Sequence, residues 1–147
     1  MSRVITIDYP EALTMAVEVL QAGGLVVLPT DTVYGVGCLL KAPAIDRVFS
    51  AKRRTPEKAI PVLLASIDNV HQVVSDFSEP ARRLAEAFWP GPLTVIIPAS
   101  AKVPLKVTGN TGRLAVRQSR SKVGWPSTSR STMPCTWVQS GSNQPRP

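Results

Sequence analysis

Apolar residues recur along the first 117 positions in short runs and helical stripes, and the spacing of each predicts an element. "RVITI" is a β-branched run that predicts a strand. Asp8 stands three before Glu11 with Pro10 between them, which reads as a capping box opening a helix. Leu13, Ala16, Val17 and Leu20 then repeat at i, i+3, i+4 and i+7, and Gly23 and Gly24 offer a left-handed end. "LVVLP" is the next buried strand, and "PTDTVYGVG" follows as a polar, glycine-bearing connection. A second helix is expected from about Ala44 to Lys52 with Ile45, Val48 and Phe49 inward. "IPVLLA" is a third strand, and Ser66 and Ser78 are N-caps for two further helices, the second turning Leu84 and Phe88 inward. "PLTVIIP" and "RLAVR" complete the strands. Strands separated by helices make an α/β sheet the economical fold, built as one domain over residues 1–117.

Residues 118–147 break the pattern. They hold seven serines, four prolines, four cations and no acids, with Trp125, Trp137 and Val138 as isolated apolar positions and no periodicity. Such a segment buries too little surface to offset the entropy of ordering it, so the expectation is a disordered tail.

Charge follows the same division. The chain carries a formal +7, yet residues 1–86 hold nine Lys/Arg against ten Asp/Glu, whereas residues 87–147 hold eight Lys/Arg and no acid. Cys38 and Cys135 lie far apart without a CxxC partner or a histidine at ligand spacing, which predicts thiols in a cytoplasmic protein and no metal site. The N-terminus lacks the apolar stretch of a signal peptide, and no run approaches a membrane span; a soluble protein without membrane association is expected. GxxxxGK[ST], GxGxxG, HExxH, GxSxG and EF-hand patterns are all absent. His71, the sole histidine, lies on an expected helix away from every other candidate group, so it reads as a surface residue.

One stretch concentrates charge. "SAKRRTPEKAIPVLLAS" sets Lys52, Arg53, Arg54 and Lys58 with two prolines just ahead of an aliphatic run. Alternate residues of an extended segment point the same way, so Lys52 and Arg54 can converge on one anion while Arg53 faces water. Arginine supplies a planar fork for phosphate oxygens and lysine a compact mobile charge. Spacing alone leaves three readings open: an ordinary basic loop, which is the default for a charge run, a phosphate clamp, or an RNA patch.

In order and spacing, "LPTDTVYGVG", "AKRRTPEKAIPVLL", "WPGPLTVIIP" and "GRLAVR" resemble the YrdC-type L-threonylcarbamoyladenylate synthases, over about residues 3–117. The resemblance implies an α/β fold with a twisted open sheet, flanked by helices, around a cationic cavity. It also implies a nucleotidyltransferase that combines L-threonine, bicarbonate or CO2, and ATP, with Mg2+, to give threonylcarbamoyl-AMP and pyrophosphate for N6-threonylcarbamoyladenosine in tRNA. By motif match, Lys52, Arg54 and Lys58 would hold the ATP phosphates, Thr32 and Arg117 would bind threonine, and Thr30 and Tyr34 would line the cavity. The implied partners are proteins that transfer threonylcarbamoyl to tRNA, and double-stranded RNA or tRNA itself. No protein nucleophile is required.

The chain departs from that pattern after "VRQ". The family would continue with a proline and usually a histidine, then a helix and a strand leading to a Ser-x-Ala-Asn motif, which Ser140, Ser142 and Asn143 do not reproduce; Leu63 also stands where a histidine is common. An abrupt loss of acids at a motif boundary suggests out-of-frame translation; the alternative is a catalytically defective module whose basic tail binds RNA. Translating the coding DNA beyond the Arg117 codon in its other frames is expected to yield the missing helix and Ser-x-Ala-Asn. If every frame lacks them, the tail is genuine.

Overall fold

A computed structural model describes residues 2–6, 8–29 and 34–120, and the backbone of 135–139. Thr30, Thr32, Trp125, Ser140, Ser142 and Asn143 lie outside the described residues. The elements, in chain order, are α1 (Ala12–Gln21), β1 (Val26–Pro29), β2 (Tyr34–Leu39), α2 (Ala42–Lys52), β3 (Val62–Leu64), a 3-10 turn (Ile67–Gln72), α3 (Glu79–Phe88), β4 (Val95–Pro98), a second 3-10 turn (Leu105–Thr108), β5 (Arg113–Gln118) and β6 (Cys135–Gln139). Six strands form one mixed sheet in the order β1-β2-β6-β3-β5-β4. Only β3 and β5 pair in parallel; the other neighbours are antiparallel.

The registers assign each side chain to a face. Cα pairing sets Cys38, Val62, Val116 and Val95 level across the sheet, with Thr136 between the first two, so Cys38, Val62, Val116 and Val95 share one face. Against that face α2 packs Ala44, Ile45, Val48 and Phe49, and α3 packs Ala81 and Ala85, making the main core. The opposite face carries Val26, Leu28, Leu39 and Leu63 against Leu20 of α1. The α1 stripe at Leu13, Ala16, Val17 and Leu20 therefore turns toward the sheet as its spacing predicts. That helix closes on Gly23, whose φ of +78° allows the N–H groups of Gly23 and Gly24 to bond the Leu20 and Val19 carbonyls at 2.9 and 2.8 Å.

Several expectations need correction. "RVITI" forms no strand over its described residues 3–6, and Val4 is 97% exposed; β-branching favours extension, but a strand exists only where an edge accepts its hydrogen bonds. The capping box is not made: Glu11 is the N-cap of α1 with no side-chain cap bond, and backbone turns from Thr6 and Tyr9 hold the entry instead. Tyr34 to Gly37 belong to β2 rather than to a connection, because the β1 register pairs each of them, from Pro29↔Tyr34 to Val26↔Gly37. Ser66 does accept from the Asp68 N–H, but the element it opens is a 3-10 turn; Ser78 occupies its N-cap without a side-chain bond.

Leu84 and Phe88 point outward, 46% and 56% exposed. The buried stripe of α3 is Ala81, Ala85 and the following Trp89, because small residues at i and i+4 let the helix approach the sheet closely. Finally, Cys135–Gln139 supplies β6 inside a segment whose composition predicts no order.

β6 is the only element joining β1-β2 to β3-β5-β4 within the sheet of described residues. Ending the chain at residue 134 would expose two internal strand edges. Such a truncation is expected to lose the cooperative thermal transition in far-UV circular dichroism; an unchanged melt would show that β6 is dispensable.

Candidate functional site

The cation cluster begins where α2 stops. Arg53 takes the left-handed conformation (φ 47°), and the N–H groups of Arg53 and Arg54 bond back to the Ser50 and Phe49 carbonyls at 3.2 and 3.0 Å. A side chain other than glycine or asparagine adopts this conformation at a cost of roughly 1 kcal/mol, so the turn is enforced by its surroundings. The chain is thus not extended here. The reversal still leaves Arg53 exposed and Lys52 and Arg54 half-buried, the arrangement that alternation predicts, through a different backbone.

Arg54 then folds over its own loop. Its Nε donates to the Lys58 carbonyl at 3.0 Å and its Nη2 to the Ala59 carbonyl at 2.7 Å. A guanidinium has five N–H donors, so two close the loop and three remain directed elsewhere. Lys58 itself is exposed, and its N–H bonds the Thr55 carbonyl at 3.1 Å. From outside, the 105–112 segment braces the loop. The Ile60 N–H donates to the Val107 carbonyl at 2.8 Å, and Lys106 pairs with Asp46 while its Nζ lies 4.8 Å from the Phe49 ring centroid.

The electrostatics follow from this packing. Burial lowers the Lys52 pKa from its ordinary 10.5, and the nearby Arg54 charge lowers it further; burial alone lowers that of Arg54. Two cations are thus held together in partial shelter, which raises the local positive potential.

The other candidate residues divide between two places. The 11-residue α2 is about 16 Å long and runs back along β2 after only Leu40 and Lys41, which returns Lys52 to the level of Tyr34. Tyr34 alternates with Val36 and Cys38 on the α2 face of the sheet. Arg117, 4% exposed, is the register partner of Leu63 and lies with it on the α1 face. The structure therefore brings Lys52, Arg54 and Lys58 onto one loop at the end of the sheet where β2 begins. His71 is exposed, as expected of a surface residue, and packs edge-on to Phe77, 6.2 Å between centroids.

Residues 105–109 carry the brace, and no periodicity marks them, because their contacts with residues 46–60 are non-local. "TGNTG" was the available signal: two glycines around an asparagine mark backbone with positive φ, seen here at Gly109, Asn110 and Gly112.

The mixed α/β sheet with helices on both faces defines the class of fold, and comparison with known proteins makes the class specific. The Sua5, YciO and YrdC family model, described as telomere recombination, matches residues 18–124. The threonylcarbamoyl-AMP synthase of Pyrococcus abyssi (strain GE5 / Orsay) is 36% identical over 112 residues, covering 76% of this chain and 33% of the relative. That of Xanthomonas euvesicatoria pv. vesicatoria (strain 85-10) is 42% identical over 114 residues, covering 76% and 61%. The crystal structure of P. abyssi Sua5 complexed with L-threonine matches with a TM-score of 0.81 at 31% identity, covering 92% of this chain and 39% of that one. The chain belongs to the Sua5/YciO/YrdC family, and it spans 33% to 61% of the length of these two curated relatives.

The lowered Lys52 pKa has a stability consequence. Its ammonium costs folding free energy at neutral pH, and that cost disappears as pH rises through the lowered pKa toward 10.5. Lys52→Met is therefore expected to melt above the parent at pH 7, with the gap narrowing by about pH 10, in parallel thermal melts. A variant that melts lower at pH 7 would contradict the desolvation account.

Proposed function

We propose that this chain carries the substrate sites of a threonylcarbamoyl-AMP synthase, acting in tRNA threonylcarbamoyladenosine biosynthesis. The observation that carries the reading is the sheltered pair Lys52 and Arg54 on a loop clipped at both ends. Two relatives named threonylcarbamoyl-AMP synthase, and a Sua5 structure holding L-threonine, support it.

In this reading the threonine amine adds CO2 to form a carbamate and releases a proton. A carbamate oxygen then bonds to the α-phosphorus of ATP as the bond to the bridging oxygen breaks, and pyrophosphate leaves. Anion attacks anion, so the chain's task is to cancel charge and hold the reactants in line. Lys52 and Lys58 supply mobile cations to the phosphate oxygens. Arg54 contributes the N–H donors that its loop carbonyls leave over. Arg117, nearly enclosed on β5, receives the threonine carboxylate; a charge there is little screened by solvent and acts strongly. Thr32 contacts threonine, and Thr30 and Tyr34 line the cavity mouth.

Among the described residues, no group of three or more His, Cys, Asp or Glu side chains is placed to hold a metal ion. Mg2+ enters this reading with the ATP substrate. No helix among the described residues is long and apolar enough to cross a membrane. The mixed anhydride formed passes in the cytoplasm to proteins that transfer threonylcarbamoyl to tRNA.

The test is formation of threonylcarbamoyl-AMP from ATP, L-threonine and bicarbonate, followed by chromatography and mass spectrometry. Lys52→Ala and Arg54→Ala are each expected to lower the rate about 100-fold, the usual loss for one electrostatic donor at a developing charge. Product formation indifferent to both substitutions would remove the cation pair from the mechanism.

A further inference from the structure

We propose that Gly109 is a positioning residue for the cation loop, an inference that rests on the phosphate-clamp reading of Lys52, Arg54 and Lys58. Gly109 follows the Leu105–Thr108 turn with φ +60°, and its Cα lies directly against the loop from the outside. A Cβ built there would meet the Glu57 carbonyl oxygen at 2.5 Å, the Ala59 nitrogen at 3.0 Å and the Glu57 carbonyl carbon at 3.1 Å. All three are backbone atoms, so no side chain can swing aside to make room.

The peptides that Gly109 touches adjoin the ones that Arg54 grips. Arg54 holds the Lys58 and Ala59 carbonyls from within, and Gly109 sets the Glu57 and Ala59 peptides from without. Residues 57–59 are therefore held between a guanidinium and a bare Cα. The platform behind Gly109 is itself stiff. Thr108, 1% exposed, donates to the Leu105 carbonyl at 2.7 Å and accepts from the Gly112 N–H at 3.1 Å, while Lys106 anchors the turn to Asp46 on α2. A side chain at 109 would push the 57–59 peptides inward, displacing the carbonyls that orient Arg54 and the backbone that presents Lys58. Gly109 acts through those residues and touches no ligand.

Gly112 provides an internal control. It shares the positive φ, +71°, but a Cβ there would meet nothing within 4 Å. Gly109→Ala and Gly112→Ala thus impose the same backbone conflict, and only the first adds pressure on the loop. Binding of inorganic pyrophosphate to the full chain, by isothermal titration calorimetry below the melting temperature, is expected to weaken at least about tenfold in Gly109→Ala and less than about twofold in Gly112→Ala. In an Arg54→Ala background, Gly109→Ala should add less than about twofold, since the two act through one loop. Amide resonances of residues 54–60 should shift in Gly109→Ala alone.

If Gly109→Ala does not fold, Gly109→Asn tolerates the left-handed backbone while keeping the Cβ, and the same results are expected of it. Equal losses in the two alanine variants, or unshifted 54–60 resonances, would overturn the proposal. A parent that binds no pyrophosphate, with the resonances shifted only in the 109 variants, would sink the phosphate reading and support the positioning contact.

Discussion

Ile45, Val48 and Phe49 on α2, and Cys38, Val62 and Val116 on the sheet, are all at most 5% exposed, and their contact determines where the helix must end. With this face buried, α2 can neither rotate nor slide without opening cavities, which in a close-packed core cost several kcal/mol for a side chain of this size. Its last residue, Lys52, is thereby brought to the end of the sheet where β2 begins. The following residues must reverse sharply to enter β3 ten positions later, and Arg53 takes a left-handed conformation to do so. Core packing and site geometry are the same constraint at two distances from the core.

That constraint also explains the electrostatics. A flexible basic loop would keep its cations apart and hydrated. Here the Arg54 guanidinium is spent partly on closing the loop, and Lys52 is held close enough to feel its charge. Lowered pKa values for both groups are the sign that folding has placed charge where water alone would not favour it. In the proposed phosphate-clamp reading, an anion bridging the pair would recover that energy.

The sheet adds a less expected dependence. Its order places β6, from a segment of Ser, Pro and Arg composition, between β2 and β3, so the two halves of the sheet meet through residues that show no periodicity. A strand in the middle of a sheet is held by its neighbours' hydrogen bonds on both edges, so context as well as its own propensity decides whether it forms.

Periodicity and short motifs determined a good deal by themselves. The inward face of α1, the extent of α2, the strands "LVVLP" and "RLAVR", the Ser66 cap and the cation cluster all follow from neighbours within a few positions, where spacing on a helix or strand leaves little freedom. Tertiary structure decided the rest. Which face of α3 is buried turned on whether Ala81 and Ala85 or Leu84 and Phe88 allowed closer approach to the sheet, and a helical wheel does not contain the sheet. "RVITI" stayed unpaired because β propensity cannot supply a partner edge. Arg117 lies on the α1 face because strand register, set by pairing between distant segments, assigns faces. Gly109 braces residues about fifty positions earlier, and no local pattern records a contact whose only requirement is the absence of a side chain.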